Sequence, residues 1–363
     1  MKIISIVGAR PQFVKASVVS RALSKHPALH EVMIHTGQHY DGNMSDVFFE
    51  ELGLPAPSHC LGIGSGRHGE QTGRMLGSVE SVLTGERPDR VLVYGDTNST
   101  LAGALAAAKM GIPVSHVEAG LRSYNRAMPE EINRVLTDHL ADQLFAPTET
   151  AAANLKREGI REGSIHLVGD VMYDVSIAFG EIAQRRSEIV SRLDLLVGRF
   201  ALATIHRAEN TDNPRRLRDI LSALGAVGRE LQVVLPLHPR TRDRLGGEVE
   251  RLVGGSRVTV IDPVGYLDMI QLERNARVIL TDSGGVQKEA YFFGVPCVTL
   301  RTETEWVELL ASGWNVLWPP TADATTLLEI IRSFEVMPPA GRPPLYGDGT
   351  AAEAIAVLLA DAG

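Results

Sequence analysis

The stretch that decides the fold is residues 89–134, DRVLVYGDTNSTLAGALAAAKMGIPVSHVEAGLRSYNRAMPEEINR. Its apolar runs RVLVY and PVSHV each indicate a buried strand, and the alanine-rich LAGALAAAKM between them indicates a closely packed helix. Strands joined through a helix in this way are parallel. The two strands are followed by acids, Asp96 and Glu118. Because the carboxyl ends of parallel strands open onto a crevice, we expect both carboxylates in a functional site.

The same alternation of apolar runs and helical segments continues along the chain, with strands such as KIISIV (2–7) and VILT (278–281). A chain of 363 residues is too long for one ordinary core. The sequence therefore predicts an α/β fold of two Rossmann-like domains, each with a doubly wound parallel sheet. We place the domains at 1–168 and 169–347, and we expect a C-terminal helix, 348–363, to join the first domain.

Composition and charge exclude several classes of protein. The formal net charge is −8, which argues against a nucleic-acid-binding surface. Cys60 and Cys297 belong to no metal-binding pattern, so we predict two reduced thiols and no metal site. The sequence shows neither a signal-peptide core nor an apolar run of about 18 residues. We therefore expect no membrane contact and a cytoplasmic location.

The helix predicted to begin at Pro129 adds a third carboxylate, Glu131. Spacings of three and four residues place Glu131, Arg134 and Asp138 on one face of that helix. We expect the core to receive the apolar side chains, which are Ile132, Val135, Leu136 and Leu140. Three carboxylates and several arginines within about 40 residues indicate a place where protons are moved.

A candidate anion site lies at the first strand–helix junction, GARPQFVK (8–15). Pro11 suits the first turn of a helix, and Lys15 lies one turn further on. Arg10, Lys15 and the free backbone amides of the turn together suit an anion. The alternative interpretation is a solvated helix start with two surface cations.

A second candidate anion site lies at TDSGGVQKEA (281–290), where a strand meets a helix. After Ser283, Gly284 and Gly285 allow a phosphate to approach backbone amides at the helix start. Glu289, one turn further on, can accept both hydroxyl groups of a ribose whose diphosphate lies on the glycines. The alternative is an ordinary glycine turn.

Two histidines, His206 and His238, follow other predicted strands of the second half. A lone histidine is more often a structural residue than a ligand. We nevertheless predict that both bind a ligand, because their strand ends lie on the side of the Ser-Gly-Gly turn.

The segment GIGSGRHG (62–69) contains a literal G-x-G-x-x-G. It lies two strands too late for a dinucleotide fingerprint, so we expect no nicotinamide cofactor there. We predict instead a glycine loop with Arg67 and His68 at its tip, after a helix at about 44–52.

Taken in order, these motifs resemble those of the non-hydrolysing UDP-N-acetylglucosamine 2-epimerases of bacteria. The matching stretches are GARPQFVK, TGQH, YGDTNST, HVEAGLRS, PEEINR, ATIHRAEN, PLHP and TDSGGVQKEA. The resemblance implies a glycosyltransferase-B-like fold with the active site in the cleft between the domains. It also implies interconversion of UDP-GlcNAc and UDP-ManNAc without a cofactor, through elimination of UDP to 2-acetamidoglucal, and a homodimer.

The resemblance assigns roles residue by residue. The acid/base carboxylates match Asp96, Glu118 and Glu131, and the positions acting on the substrate or the leaving diphosphate match Arg10, Lys15 and His206. The nucleotide-binding turn and ribose carboxylate match Ser283, Gly284, Gly285 and Glu289, and cleft-lining positions match Arg134 and His238. Some members have a regulatory UDP-GlcNAc site that matches Gln38, His39 and Arg74. Asp41, where those members have glutamine, would repel a diphosphate and puts that regulation in doubt.

Three alternatives remain open. A hydrolysing relative would release free ManNAc, but Thr97 and Glu118 stand where those relatives have an arginine and a glycine. A glycosyltransferase of the same fold would not need three acids around one sugar carbon. A UDP-sugar-binding module without activity would be expected to lack part of the acid cluster, and no member of the cluster is missing.

Overall fold

The computed structural model describes residues 1–38, 54, 56–321, 323–336, 339 and 341–362, except for the side chains of Arg10, Pro239, Arg240 and Asp243. The chain divides into two compact units, one of residues 1–175 with 344–363 and one of residues 176–343. The helix predicted at 44–52 lies outside the described residues. In the part of the chain that the structure describes, each helix is too short or too polar to cross a lipid bilayer.

Each unit contains one parallel β-sheet. The strands of the first sheet are β1 (Lys2–Val7), β2 (His30–His35), β3 (His59–Cys60), β4 (Arg90–Tyr94), β5 (Val114–Val117), β6 (Gln143–Ala146) and β7 (Ile165–Leu167). Those of the second are β8 (Phe200–Thr204), β9 (Gln232–Pro236), β10 (Val258–Ile261), β11 (Val278–Thr281), β12 (Cys297–Thr299) and β13 (Asn315–Leu317). Their spatial orders are β3-β2-β1-β4-β5-β6-β7 and β10-β9-β8-β11-β12-β13. The predicted fold class, two parallel-sheet α/β domains, is confirmed.

Helices connect the strands. They are α1 (Arg10–Leu23), α2 (His68–Glu86), α3 (Asn98–Lys109), α4 (Pro129–Leu140), α5 (Glu149–Arg157), α6 (Val171–Arg186), α7 (Ile189–Arg192) and α8 (Ala208–Thr211). They continue as α9 (Pro214–Glu230), α10 (Pro239–Arg244), α11 (Glu248–Val253), α12 (Tyr266–Asn275), α13 (Gly284–Phe293), α14 (Val307–Ala311), α15 (Ala324–Val336) and α16 (Ala351–Asp361). The C-terminal helix α16 packs against α1 in the first unit, where Lys25 Nζ lies 3.1 Å from Glu353 Oε2.

Small residues explain how closely α3 approaches the first sheet. Its start is capped by Thr97, whose hydroxyl oxygen accepts a hydrogen bond from the amide of Thr100 at 3.3 Å. A Cβ added at Gly103 would lie 2.7 Å from Cδ1 of Ile6 on β1, so a larger residue would push the helix away. The alanine- and glycine-rich sequence of α3 thus brings its N-terminus close to the ends of β1 and β4.

The prediction for the apolar face of α4 is wrong for Ile132 and Leu136, whereas Leu140 packs partly buried against the core of the first unit. Ile132 and Leu136 are 43% and 47% exposed, and the buried face is polar instead. It consists of Glu131, Asn133, Arg134, Thr137 and Asp138. These polar groups can be buried because the adjoining loops supply hydrogen-bond partners, for example between Asn133 Nδ2 and the carbonyl oxygen of Asp96 at 3.0 Å.

The glycine segment 62–69 also differs from the prediction. Helix α2 already begins at His68, so His68 and Gly69 are helical and Arg67 is the N-cap residue. The loop before them is held by Gln71, whose side-chain amide donates to the carbonyl oxygen of Gly64 at 3.0 Å. The histidine therefore points from a helix start rather than from the tip of a loop, and its Nδ1 lies 3.2 Å from Asn98 Nδ2.

Candidate active site

Two of the predicted acids lie at the same edge of the first sheet. Asp96 follows β4 after one glycine, and Glu118 follows β5 directly. Because β4 and β5 are parallel neighbours, both acids lie at the carboxyl edge of that sheet. Glu118 has φ 70, in the left-handed region that few residues other than glycine adopt. Such a conformation at a polar residue is a common property of functional sites.

Two cations join three carboxylates into what we call the acid cluster, defined as Asp96, Glu118, Glu131, Lys15 and Arg134. The ammonium group of Lys15 is paired with Glu118. The guanidinium of Arg134 is paired with Asp96, and its Nη1 lies 2.8 Å from Glu131 Oε2. Burial acts to lower the pKa of Arg134, but the attraction of Asp96 and Glu131 outweighs burial and holds that pKa above its ordinary value.

Glu131 is held by several hydrogen bonds from the loop after β5. Its carboxylate accepts hydrogen bonds from the amide of Ser123 at 2.9 Å, the hydroxyl of Ser123 at 3.0 Å and the amide of Tyr124 at 2.9 Å. Burial acts to raise the pKa of Glu131, but these bonds and Arg134 hold it below its ordinary value. Glu131 thus ties the loop after β5 to α4 and keeps Arg134 directed at Asp96.

The first strand–helix junction differs from the prediction of free amides. The side-chain oxygen of Gln12 accepts hydrogen bonds from the amides of Gly8 at 2.8 Å and Ala9 at 3.0 Å. Those two amides are therefore occupied, and Lys15 is engaged with Glu118. The structure brings Lys15 to the acid cluster, while the side chain of Arg10 lies outside the described part of the chain.

Sequence reasoning missed a buried polar network behind the acid cluster. His116 on β5 and Asp138 on α4 are both fully buried, and Nδ1 of His116 lies 2.7 Å from Asp138 Oδ1. Arg122 Nη1 lies 2.7 Å from the other oxygen of Asp138, and Arg122 Nη2 lies 2.6 Å from Glu158. The available signal was a histidine in the middle of an apolar strand, PVSHVE.

The second unit collects its candidate residues at one edge of its own sheet. Strands β9, β8 and β11 are parallel neighbours, and they are followed by His238, His206 and Ser283 respectively. His206 and His238 are both exposed at the surface of this unit. The strand-end placement that the sequence predicted for these three residues is thus present in the structure.

Asp282 organises this edge. It is fully buried and accepts hydrogen bonds from the amides of His206 at 3.0 Å and Arg207 at 3.1 Å and from Asn210 Nδ2 at 3.0 Å. Burial acts to raise the pKa of Asp282, but the His206 and Asn210 contacts hold it below its ordinary value. The imidazole Nδ1 of His206 lies 3.1 Å from Oδ1, so the carboxylate orients a ring that is 61% exposed.

The Ser-Gly-Gly turn begins α13. Ser283 is its N-cap, and its hydroxyl oxygen accepts from the amide of Val286 at 3.4 Å. A Cβ added at Gly284 would lie 2.5 Å from Oε1 of Glu305, so a larger residue would displace that carboxylate. Among the described residues, a Cβ at Gly285 would meet only Ser283 Oγ, at 3.8 Å, which leaves room for a ligand.

Two buried glutamates lie beyond the turn. Glu289 is buried on α13, and Tyr266 Oη lies 3.4 Å from its Oε1. Glu273 on α12 is fully buried, and burial together with the charge of Glu289 raises the pKa of Glu273 well above its ordinary value. The raised pKa of Glu273 disfavours a second negative charge beside Glu289, a feature that the sequence did not reveal.

The residues predicted for a regulatory site are only partly described. Gln38 Oε1 accepts hydrogen bonds from the amide of Ser99 at 3.1 Å and from its hydroxyl at 2.7 Å, so it caps the start of α3. Arg74 is exposed on α2. His39 and Asp41 lie outside the described residues.

Comparison with known proteins gives a consistent result. The family model described as UDP-N-acetylglucosamine 2-epimerase matches residues 21–360. The UDP-2,3-diacetamido-2,3-dideoxy-D-glucuronate 2-epimerase of Pseudomonas aeruginosa is 53% identical over 99% of both chains. The Methanocaldococcus jannaschii UDP-GlcNAc 2-epimerase, solved with UDP-GlcNAc and UDP, has a TM-score of 0.88 at 45% identity over both whole chains. The Neisseria meningitidis enzyme bound to UDP-GlcNAc has a TM-score of 0.89 at 30% identity, over 99% of this chain and 100% of that one.

The two parallel sheets and these structural matches define the class, an α/β enzyme with a glycosyltransferase-B-like fold that acts as an epimerase. The chain belongs to the UDP-N-acetylglucosamine 2-epimerase family.

Proposed function

We propose that this protein is a non-hydrolysing epimerase that interconverts UDP-GlcNAc and UDP-ManNAc. The observation that carries the proposal is the acid cluster, in which three carboxylates and two cations meet at one edge of the first sheet. The family and the relatives solved with UDP-GlcNAc support the nucleotide-sugar substrate. The homodimer implied by the resemblance is part of the same proposal.

The chemistry of the substrate explains why several acids are needed. The hydrogen on C2 of the sugar is not next to a carbonyl, so a side chain cannot remove it directly. When the bond from C1 to the UDP oxygen breaks, UDP takes the electron pair and C1 acquires positive character, which acidifies the C2 hydrogen. A carboxylate then takes the proton, and the C2–H electrons form the C1=C2 double bond of 2-acetamidoglucal.

Inversion requires a second acid. A protonated carboxyl group on the opposite face of the glycal must deliver a proton to C2 while the UDP oxygen bonds C1 again. Asp96, Glu118 and Glu131 supply this proton-transfer chemistry, with Lys15 and Arg134 controlling their charge. In the second unit, His206, His238 and the Ser283–Gly285 turn are the groups proposed to hold the departing diphosphate, with Glu289 on the ribose. Arg10 is proposed to assist them.

A second candidate substrate is UDP-2,3-diacetamido-2,3-dideoxy-D-glucuronate. The Pseudomonas aeruginosa relative named for it is 53% identical over nearly the whole chain, against 45% for the Methanocaldococcus jannaschii enzyme. Both sugars carry a 2-acetamido group beside a UDP-bearing C1, so the same proton transfers would serve either. They differ in the 3-acetamido group and in the carboxylate of the uronate.

The proposal predicts that the purified protein converts UDP-GlcNAc into UDP-ManNAc, which proton NMR detects through the anomeric signals. The ratio of kcat/KM for UDP-GlcNAc and for the diacetamido uronate decides which substrate the enzyme prefers. Accumulation of free ManNAc with UDP would establish the hydrolysing activity instead. A protein that epimerises neither nucleotide sugar would overturn the proposed function.

A further inference from the structure

The buried pair His116–Asp138 contacts the backbone beside two of the proposed catalytic acids. Nε2 of His116 lies 2.7 Å from the carbonyl oxygen of Gly95, the residue before Asp96. Oδ2 of Asp138 accepts a hydrogen bond from the amide of Gly120, two residues after Glu118, at 3.1 Å. One side-chain pair therefore holds both turns that follow β4 and β5.

Both turns depend on glycines in the left-handed region, with φ 63 at Gly95 and φ 84 at Gly120. A Cβ at Gly95 would lie 3.2 Å from Glu118 Oε2 and 3.4 Å from Lys15 Nζ. A shift of the Gly95 backbone would thus move it against the Lys15–Glu118 pair. The position of this turn and the geometry of the acid cluster are directly connected.

The hydrogen bonds define where the protons of the pair lie. A carbonyl oxygen can only accept, so Nε2 of His116 carries a proton for Gly95. The contact of 2.7 Å between Nδ1 and Asp138 needs a second proton. Arg122 and the amide of Gly120 both favour the carboxylate form of Asp138. The pair therefore shares a proton between Nδ1 of His116 and Oδ1 of Asp138, while Nε2 donates to Gly95.

We propose that His116 and Asp138 are positioning residues of this enzyme, which tie the Asp96 and Glu118 turns to the helix that carries Glu131 and Arg134. This inference rests on the proposed roles of those acids. Asp138 lies two turns after Glu131 on the buried face of α4, so the helix and both strand ends share one rigid contact. A displacement of about 1 Å in a catalytic group costs on the order of 10² in rate.

The test compares variants that remove the contacts with one that preserves their geometry. Asp138→Leu and His116→Leu are expected to lower kcat about 100-fold with little change in KM. Asp138→Asn is expected to stay within about tenfold of wild type. Its amide can donate to Nδ1 of a neutral His116, whose Nε2 still donates to Gly95, while its oxygen accepts from Gly120.

The matched control is Ser115→Ala. Ser115 is the fully buried residue before His116 on β5, and its hydroxyl accepts from Arg90 at 3.1 Å and donates to Gln143 at 3.0 Å. Its hydrogen bonds do not involve the Gly95 or Gly120 turns among the described residues. This variant is expected to keep kcat within about twofold of wild type. The hydrogen bonds it loses hold neither turn, so they affect stability rather than the position of the acids.

Two readouts separate positioning from general stability. Released UDP and 2-acetamidoglucal should form a larger fraction of product in the leucine variants. A misplaced acid protonates C2 of the glycal more slowly, so the intermediate has more time to dissociate. Amide hydrogen exchange, followed by mass spectrometry, should rise in peptides covering 94–98 and 118–122, and not in Ser115→Ala. If the leucine variants do not fold, His116→Gln decides by the same readouts, with kcat expected to fall about tenfold and Asp138→Asn serving as the variant that keeps the contacts.

The inference would be overturned if Asp138→Leu and His116→Leu showed unchanged amide hydrogen exchange in these two peptides and a kcat within threefold of wild type. An Asp138→Asn variant as slow as Asp138→Leu would also overturn it, because geometry alone would then not suffice. The exchange measurement does not depend on the substrate. A wild-type protein inactive on both nucleotide sugars would therefore refute the proposed function while the exchange result still decides the positioning role.

Discussion

Glu118→Gln is expected to lower kcat by about 10²–10⁴-fold, the usual contribution of a general acid or base. The glutamine amide keeps the shape of the side chain but cannot take up a proton, and it leaves Lys15 without its charged partner. Asp96→Asn and Glu131→Gln are expected to lose two or more orders of magnitude each, the latter also because Glu131 holds Ser123, Tyr124 and Arg134. Steady-state kinetics with UDP-GlcNAc measures all three.

Glu130→Gln is the matched control for this series. Glu130 is exposed at the start of α4, directly before Glu131, and the same change there removes a charge outside the acid cluster. Its kcat should remain within about twofold of wild type. Rates near wild type in all three cluster variants would remove these carboxylates from the chemistry.

Arg134→Met should be the most destabilising single change in the acid cluster. It leaves Asp96 and the buried Glu131 without their shared cation. Removing one partner of a buried ion pair costs about 3–5 kcal/mol, because the remaining charge stays desolvated. At 3 kcal/mol this corresponds to a Tm lower by roughly 6–12 °C for a unit of this size, measured by differential scanning calorimetry.

Arg185→Met provides the comparison for Arg134→Met. Arg185 lies 3.8 Å from Glu181, and both side chains are largely exposed. Exposed pairs contribute about 0–1 kcal/mol, so this variant should melt within a few degrees of wild type. Equal Tm values for the two variants would show that the Arg134 pairs add nothing beyond a surface contact.

The sequence predicts the parts of the site that follow from strand order. Asp96 and Glu118 follow strands of the first sheet within two residues, and His206 and Ser283 do so in the second sheet. Parallel pairing alone brings each of these two pairs to the carboxyl edge of its own sheet. The acids and cations themselves were recognisable as residue types. Their partners were not, because the pairing of Lys15 with Glu118 spans 103 residues of sequence.

Helix α4 shows why hydrophobic periodicity failed where it did. Its apolar side chains Ile132 and Leu136 suggested one buried face, but the opposite, polar face is buried. Burial of Glu131 and Asp138 is favourable only because loop amides and arginines satisfy them. The amide partners lie in the irregular loop before the helix, so the periodicity of the helix itself cannot reveal them.

The expectation of free amides in the turn at residues 8–15 is wrong for Gly8 and Ala9 for a related reason. The side-chain oxygen of Gln12 accepts hydrogen bonds from the amides of Gly8 and Ala9. Its side-chain nitrogen donates to the carbonyl oxygen of Tyr94 at 2.8 Å. A glutamine in a turn of this kind is equally compatible with a solvent-exposed side chain. Only the tertiary structure shows that the Gln12 side chain takes the two hydrogen bonds that an anion would otherwise accept.

Solvent-deuterium incorporation tests the central claim, elimination and re-addition at C2, most directly. The protein is incubated with UDP-GlcNAc in D2O without added nicotinamide cofactor or metal ion, and proton NMR and mass spectrometry locate the label. The account predicts deuterium at C2 of both UDP-ManNAc and UDP-GlcNAc, because the proton delivered to the glycal comes from a carboxyl group in exchange with solvent. Epimerisation that leaves C2 unlabelled in both sugars would contradict it.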